Sequence, residues 1–145
     1  MFSGPSTKWP IDVLRDEAIK EAVEYIKSIK GDKPVVTDSG WWKQAADAIE
    51  TNGLHLEFGV FEGESLNFFT GYKKDITWYG FDSFEGLQET WPGGIVAKKF
   101  FNLDGQTPQL DVNAKLVTGW FKDTVPKFFE KRSDEKIAFM HIECD

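Results

Sequence analysis

Apolar positions recur at three- and four-residue steps early in the chain and give way to short, nearly continuous apolar runs further on. Leu14, Ala18, Ala22, Ile26 and Ile29 keep to one helical face while Lys20, Glu24 and Lys27 lie elsewhere, which predicts a helix from about Asp12 to Ile29. Gly31 is a natural stop and Pro34 confirms the break. The stretch before this helix, with Gly4, Pro5 and Pro10, reads as an extended arm. A second helix is expected to begin after Asp38 or Ser39 and to run through Trp41 to Glu50, ending at Asn52-Gly53.

After Gly53 the period changes. Leu54 to Phe58 is a short apolar run ending in glycine, Ser65 to Tyr72 is helical, and Ile76 to Phe81 is rich in β-branched and aromatic residues, as strands are. Lys115 to Thr118 reads as a third strand. Asp123 can cap a helix through about Lys131, with Pro126 tolerated in its first turn. Ile137 to Cys144 is nearly all apolar, so a fourth strand buried on both faces is expected. The Gly-, Pro- and Asp-rich stretch from Ser83 to Asn113 is too long for a plain connection and is expected to have a task or a short element of its own. Within it, Trp91-Pro92-Gly93-Gly94 reads as a turn in preference to a lid. Strands alternating with helices imply a parallel α/β sheet with right-handed crossovers. The division expected is an N-terminal arm and helical extension over 1–52, packed on a sheet portion over 53–145.

Composition narrows the partners. A chain of 145 residues is one domain's worth, and 41% hydrophobic with 28% charged residues is an ordinary globular balance that argues against disorder. The 17 basic residues are outnumbered by 24 acidic ones, a net charge of −7, so nucleic acid and anionic membrane are disfavoured and a small molecule is the expected ligand. The single cysteine, Cys144, can make no internal disulfide. No signal-like segment and no apolar run of about 18 residues occurs, so a cytoplasmic protein is expected.

Four segments carry chemistry. In LHLEFGVFEGES, Glu57 ends a strand, Gly59 and Gly63 permit a sharp turn and close ligand approach, and Ser65 opens a helix whose N-terminal N–H groups suit an anion. A ligand with both an amine and a carboxylate would suit Glu57 and the Ser65 region together; the alternative is a turn that binds nothing. In WYGFDSFEGL, Asp82 follows the next strand at about the twenty-residue spacing from which an acid reaches ribose hydroxyls. Taken alone it would as readily cap a turn. In VTGWFKDTVP, Trp120 and Phe121 lie on the same sheet edge and offer faces to a purine, or cover the sheet. In FMHIECD, His141, Glu143 and Asp145 share one strand face, and two carboxylates at a strand end can hold a hard cation or take a proton from a hydroxyl. His141 is better read as a satisfied core group than as a ligand, and Cys144, on the opposite face, as packing.

LEFGVFEGES, YGFDSFEGL, LVTGWFKDTVP and MHIECD, in that order, resemble the macrocin-type (TylF-like) O-methyltransferases of the class I S-adenosylmethionine-dependent superfamily. The resemblance runs from about Asp38 to Asp145. It implies a Rossmann-like fold with S-adenosyl-L-methionine as cofactor. Glu57, Gly59, Gly63 and Ser65 would then lie at its methionine end, Asp82 on the ribose with Ser83 and Phe84 beside the adenosine, and Gly119, Trp120 and Phe121 around the adenine. It places Glu143, with Asp145 beside it, where metal-dependent members bind Mg2+ and deprotonate the acceptor hydroxyl. The family usually has Asp at the first of these positions. The family sheet has seven strands ordered 3-2-1-4-5-7-6, and only the first four are legible here. The expectation is therefore an N-terminal part, strand order 3-2-1-4, with weak or no activity alone and an open fourth strand through which it forms a homo-oligomer. The function implied is methyl transfer to a hydroxyl of a small molecule such as a sugar or natural product. The alternative carried beside it is a non-catalytic S-adenosylmethionine-binding module that needs a partner chain. A nicotinamide enzyme is disfavoured because the glycine spacing is not GxGxxG.

Overall fold

The computed structural model describes residues 10–30, 39–50, 52–91, 94, 96–144. It divides into two units, Met1–Val36 and Thr37–Asp145. The described part of the first is helix α1, Pro10–Lys30, which starts on a proline, as a first helical position tolerates, and carries Asp12 in its first turn. Asp12 pairs with Arg15 one turn on.

The second unit contains helix α2 (Ser39–Asp47), strand β1 (Leu54–Phe58), helix α3 (Glu64–Tyr72), strands β2 (Trp78–Asp82) and β3 (Ala114–Thr118), helix α4 (Phe121–Glu130) and strand β4 (Ile137–Ile142). All pairings are parallel and the order is β3-β2-β1-β4, as expected. Alternation along the strands divides the apolar residues between two layers. Leu54, Leu56 and Phe81 face α4 and pack on Phe128, whereas Trp78 faces α3 and α2 among Ala46, Leu66 and Phe69. Phe69 stacks on Trp78 with ring centroids 4.9 Å apart. Tyr72 Oη donates to Asp47 (2.7 Å), and Lys43 Nζ donates to the same carboxylate (2.6 Å), tying α2 to α3.

Several sequence expectations are corrected. Helix α2 ends at Asp47 instead of Glu50; Asp38, one expected cap, lies outside the described residues. Helix α4 begins at Phe121, so Asp123 is a first-turn residue and Trp120 the N-cap, with Pro126 inside the helix beyond its first turn. The Trp120 carbonyl accepts from the N–H groups of Asp123 (2.9 Å) and Thr124 (3.0 Å), and Phe121 packs with Phe58, which draws the start forward. Strand β4 is not buried on both faces. It occupies the sheet edge, Phe139 and His141 turn inward, and Ile137, Met140 and Ile142 are exposed.

The long connection between β2 and β3 doubles back on itself. Leu87 N donates to Phe100 O (3.0 Å), Lys99 N to Leu87 O (3.1 Å) and Leu103 N to Phe84 O (3.1 Å), making a short antiparallel excursion. Its return passes over α3. Asn67 Nδ2 donates to Gln109 O (3.0 Å), Thr70 Oγ1 donates to Asp111 (3.0 Å), and Asn113 Nδ2 donates to Ile76 O (3.0 Å). In the WPGG stretch, Gly94 N donates to Trp91 O (3.0 Å), while Pro92 and Gly93 lie outside the described residues.

Candidate functional site

The C-terminal ends of β1, β2 and β3 form one edge, and the segments singled out in the sequence meet there. Parallel pairing places Glu57 beside Gly80 of β2 on one side and His141 of β4 on the other. Beyond Phe58 the chain must leave the sheet quickly. Gly59 does so at φ +88°, donating to Phe81 O (2.9 Å), and the Phe58 carbonyl accepts from Glu143 N (2.9 Å). A Cβ on Gly59 would lie 2.1 Å from the Glu143 carbonyl oxygen, so this glycine serves the close approach of β4. Gly63, at φ +80°, is the N-cap of α3, and a Cβ there would meet Leu110 of the returning loop at 2.6 Å.

Asp82 governs the turn. Its Oδ2 accepts from Val60 N (2.8 Å) and Phe61 N (2.9 Å), and its Oδ1 accepts from Phe84 N (2.8 Å). One carboxylate thus holds the β1–α3 turn and the start of the loop after β2. The Asp82 carbonyl accepts from Gly119 N (2.9 Å), joining the β3 end to the same point. Phe61, held by Asp82, has a left-handed backbone, φ 46°, which is uncommon for a non-glycine residue.

Glu57 is fully buried on the α3 face. Its Oε1 accepts from Ser65 Oγ (3.0 Å), and its Oε2 is 3.1 Å from His141 Nδ1. Trp41 and Phe69 flank the imidazole, with ring centroids 5.4 and 5.5 Å away. His141 is thus the buried, satisfied group the sequence favoured. Its pairing with Glu57 depends on strand order, which carries no local signal in the sequence. Burial pushes the Glu57 carboxyl above its usual range, against the bonds from His141 and Ser65, which favour ionisation. The folded chain therefore holds this proton to higher pH than the unfolded chain does. The stability tied to it is full below about pH 4.3 and is lost as pH rises through the folded value. Glu57→Gln keeps the shape without the charge, so its denaturation midpoint should climb relative to the parent as pH rises above about 4.3. Midpoints that run parallel as pH rises would show that burial does not bias this group.

The remaining expected residues divide. Phe84 is fully buried, at φ 57°, among the core side chains that cover α3. Phe121 packs against Phe58 below the edge. The Ser83 hydroxyl accepts from Glu85 N (3.2 Å). Trp120 is half-buried and lines an open groove of about 310 Å³ together with Leu87 and Lys122. Glu143 is exposed, with Oε2 3.7 Å from His141 Nε2, and Asp145 lies outside the described residues. Among the described residues no group of three or more His, Cys, Asp or Glu side chains converges as a metal would require. Both Glu57 oxygens are engaged by protein partners, which leaves the exposed Glu143 as the nearby carboxylate. Among the described residues these donors do not fit a Mg2+ site.

No family model matches this sequence, and no curated protein matches it. Among solved structures, that of CalS11, a calicheamicin methyltransferase, is similar over 99% of this chain and 74% of its own, with a TM-score of 0.53 and 16% identity. The O-methyltransferase NovP is similar over 70% of this chain and 51% of its own, with a TM-score of 0.49 and 19% identity. An apo structure of CalS11, described as a TDP-rhamnose 3'-O-methyltransferase, covers 95% of this chain and 68% of its own, with a TM-score of 0.44 and 18% identity. The likeness to the first is one of fold: the parallel α/β sheet of this chain, ordered β3-β2-β1-β4, is built as a methyltransferase structure is.

Proposed function

We propose that this chain binds S-adenosyl-L-methionine and belongs to an O-methyltransferase of the macrocin type, acting on a hydroxyl of a small molecule such as a sugar or natural product. The observation that carries the reading is the convergence on Asp82. An acid at the end of β2 holds the glycine turn after β1 and receives the end of β3, at the strand edge where open α/β sheets bind ligands. A carboxylate offers about four acceptor positions, and three backbone donors leave one for a ribose hydroxyl. The N-terminus of α3 has no side-chain cap, so its first-turn N–H groups suit the carboxylate of the methionine end. Glu57 acts from beneath, holding Ser65 at that helix start, and Trp120 offers an aromatic wall to the adenine end. Phe84 and Phe121 support these walls from the core.

When bound, the cofactor would supply a sulfonium methyl group to the acceptor oxygen by in-line displacement, with the neutral thioether as leaving group. The chain's part is alignment, for which well-oriented reactants are worth about 7–11 kcal/mol. Glu143, exposed at the end of β4, is the group proposed to take the acceptor's proton on its carboxylate. Calorimetry with S-adenosylhomocysteine and with NAD tests the reading. The homocysteine compound should bind at least tenfold tighter than NAD, and absence of binding would refute the proposal.

The outward face of β4 favours a second reading, a cofactor-binding module covered by a partner chain or a second copy, because Ile142 is 64% exposed and Ile137 and Met140 lie beside it. Light scattering decides it: a monomeric mass that holds at high concentration would exclude the second copy.

A further inference from the structure

The groove beside Trp120 has a charge that a sulfonium cofactor does not account for. Lys98, Lys99 and Lys122 line it with Trp120, and Glu85 is its one acidic wall residue. None of the three lysines is in an ion pair among the described residues. In a chain of net charge −7, three lysines around one concavity, unpaired among the described residues, are a local reversal of sign, which concentrates anions there. S-adenosylmethionine has two positive groups and one negative, so it gains nothing from them.

The lysine rim is built into the fold. Lys99 has a left-handed backbone, φ 65°, a conformation that persists in a non-glycine residue only where its surroundings enforce it. Here Lys99 N donates to Leu87 O (3.1 Å), Lys99 O accepts from Asn102 N (3.1 Å), and Lys98 N donates to Thr90 Oγ1 (3.0 Å). Lys122 comes from a different element, the first turn of α4, directly after Trp120. Two independent segments therefore bring lysines to the groove that Trp120 lines. At about 310 Å³ the groove is at the lower end of the range of small-molecule sites.

We propose that this groove binds a nucleoside phosphate, with the phosphates on Lys98, Lys99 and Lys122 and the base against Trp120. The inference goes beyond the methyltransferase reading and meets it only at Trp120. Ammonium groups around a phosphate supply charge-assisted hydrogen bonds, and an indole face accepts any base by stacking.

Calorimetry on the whole chain at low salt, with uridine diphosphate and inorganic pyrophosphate as probes, tests it. Uridine diphosphate should bind at least fivefold tighter than pyrophosphate, and Trp120→Ala should close that gap. Lys98→Gln, Lys99→Gln and Lys122→Gln combined should weaken both probes at least tenfold, with S-adenosylhomocysteine affinity changed less than twofold and an unchanged melting temperature. Binding of neither probe, equal binding of the two, or binding indifferent to the lysine changes overturns the proposal. So does a lysine variant that loses S-adenosylhomocysteine, since the groove would then belong to the cofactor. A parent that binds uridine diphosphate but not S-adenosylhomocysteine upholds this site and refutes the methyltransferase reading.

Discussion

Gly59→Ala should destabilise the chain by about 2–5 kcal/mol, read as a fall in denaturant midpoint. Two costs combine. An alanine at φ +88° is in the left-handed region, worth about 1–2 kcal/mol against it. Its Cβ would also lie 2.1 Å from the Glu143 carbonyl oxygen and 2.8 Å from the carbonyl carbon, so backbone must move, and such overpacking costs about 1–3 kcal/mol. The atoms displaced belong to the end of β4, where Glu143 N donates to Phe58 O, so the strain falls on the β1–β4 ladder. Gly105→Ala separates the two costs. Gly105 has φ +73°, but a Cβ there would meet nothing within 4 Å, so it reports the backbone cost alone. If the two variants lose equal stability, β4 does not press on Gly59 as the structure has it.

How much of this was legible in the sequence follows from the range of each interaction. Parallel pairing was legible because strands alternate with helices along the chain, while the strand order came only with the family resemblance. The Gly59 and Asp82 turns were legible because glycine and a strand-terminal acid mark local backbone geometry. The coverage of β4 was not, since a continuous apolar run reads alike whether one face or both are covered; Met140 and Ile142 differ from Phe139 only in what lies opposite. The start of α4 was missed because an aspartate suits both a cap and a first turn, and packing of Phe121 on Phe58 decided between them. The resemblance puts Phe84 beside the adenosine, and no local signal tells that its ring is fully buried, at φ 57°. The Glu57–His141 contact spans 84 residues and exists only through the register of β1 with β4.

Asp82→Ala is expected to cost about 3–5 kcal/mol of stability, more than a surface carboxylate would. Three backbone N–H groups, of Val60, Phe61 and Phe84, lose their acceptor at once. Val60 and Phe84 are buried, so water replaces the carboxylate poorly there, and each orphaned donor costs about 1–3 kcal/mol. Phe61 is half-buried and can be hydrated, which keeps the sum below three full penalties. Asp82→Asn should be intermediate. Its single carbonyl oxygen can serve either the Val60–Phe61 pair or Phe84, and its amide, a donor, must then face the other N–H. The same substitutions should weaken S-adenosylhomocysteine binding by about 1–3 kcal/mol, through the lost ribose acceptor and a turn no longer held in place. The order of effects separates structure from recognition. If Asn restores stability but not affinity, the fourth acceptor position of Asp82 belongs to the ligand. If affinity follows stability through both variants, Asp82 acts through the turn it holds. If neither variant differs from the parent by more than about 1 kcal/mol in stability, the carboxylate does not hold the two turns together.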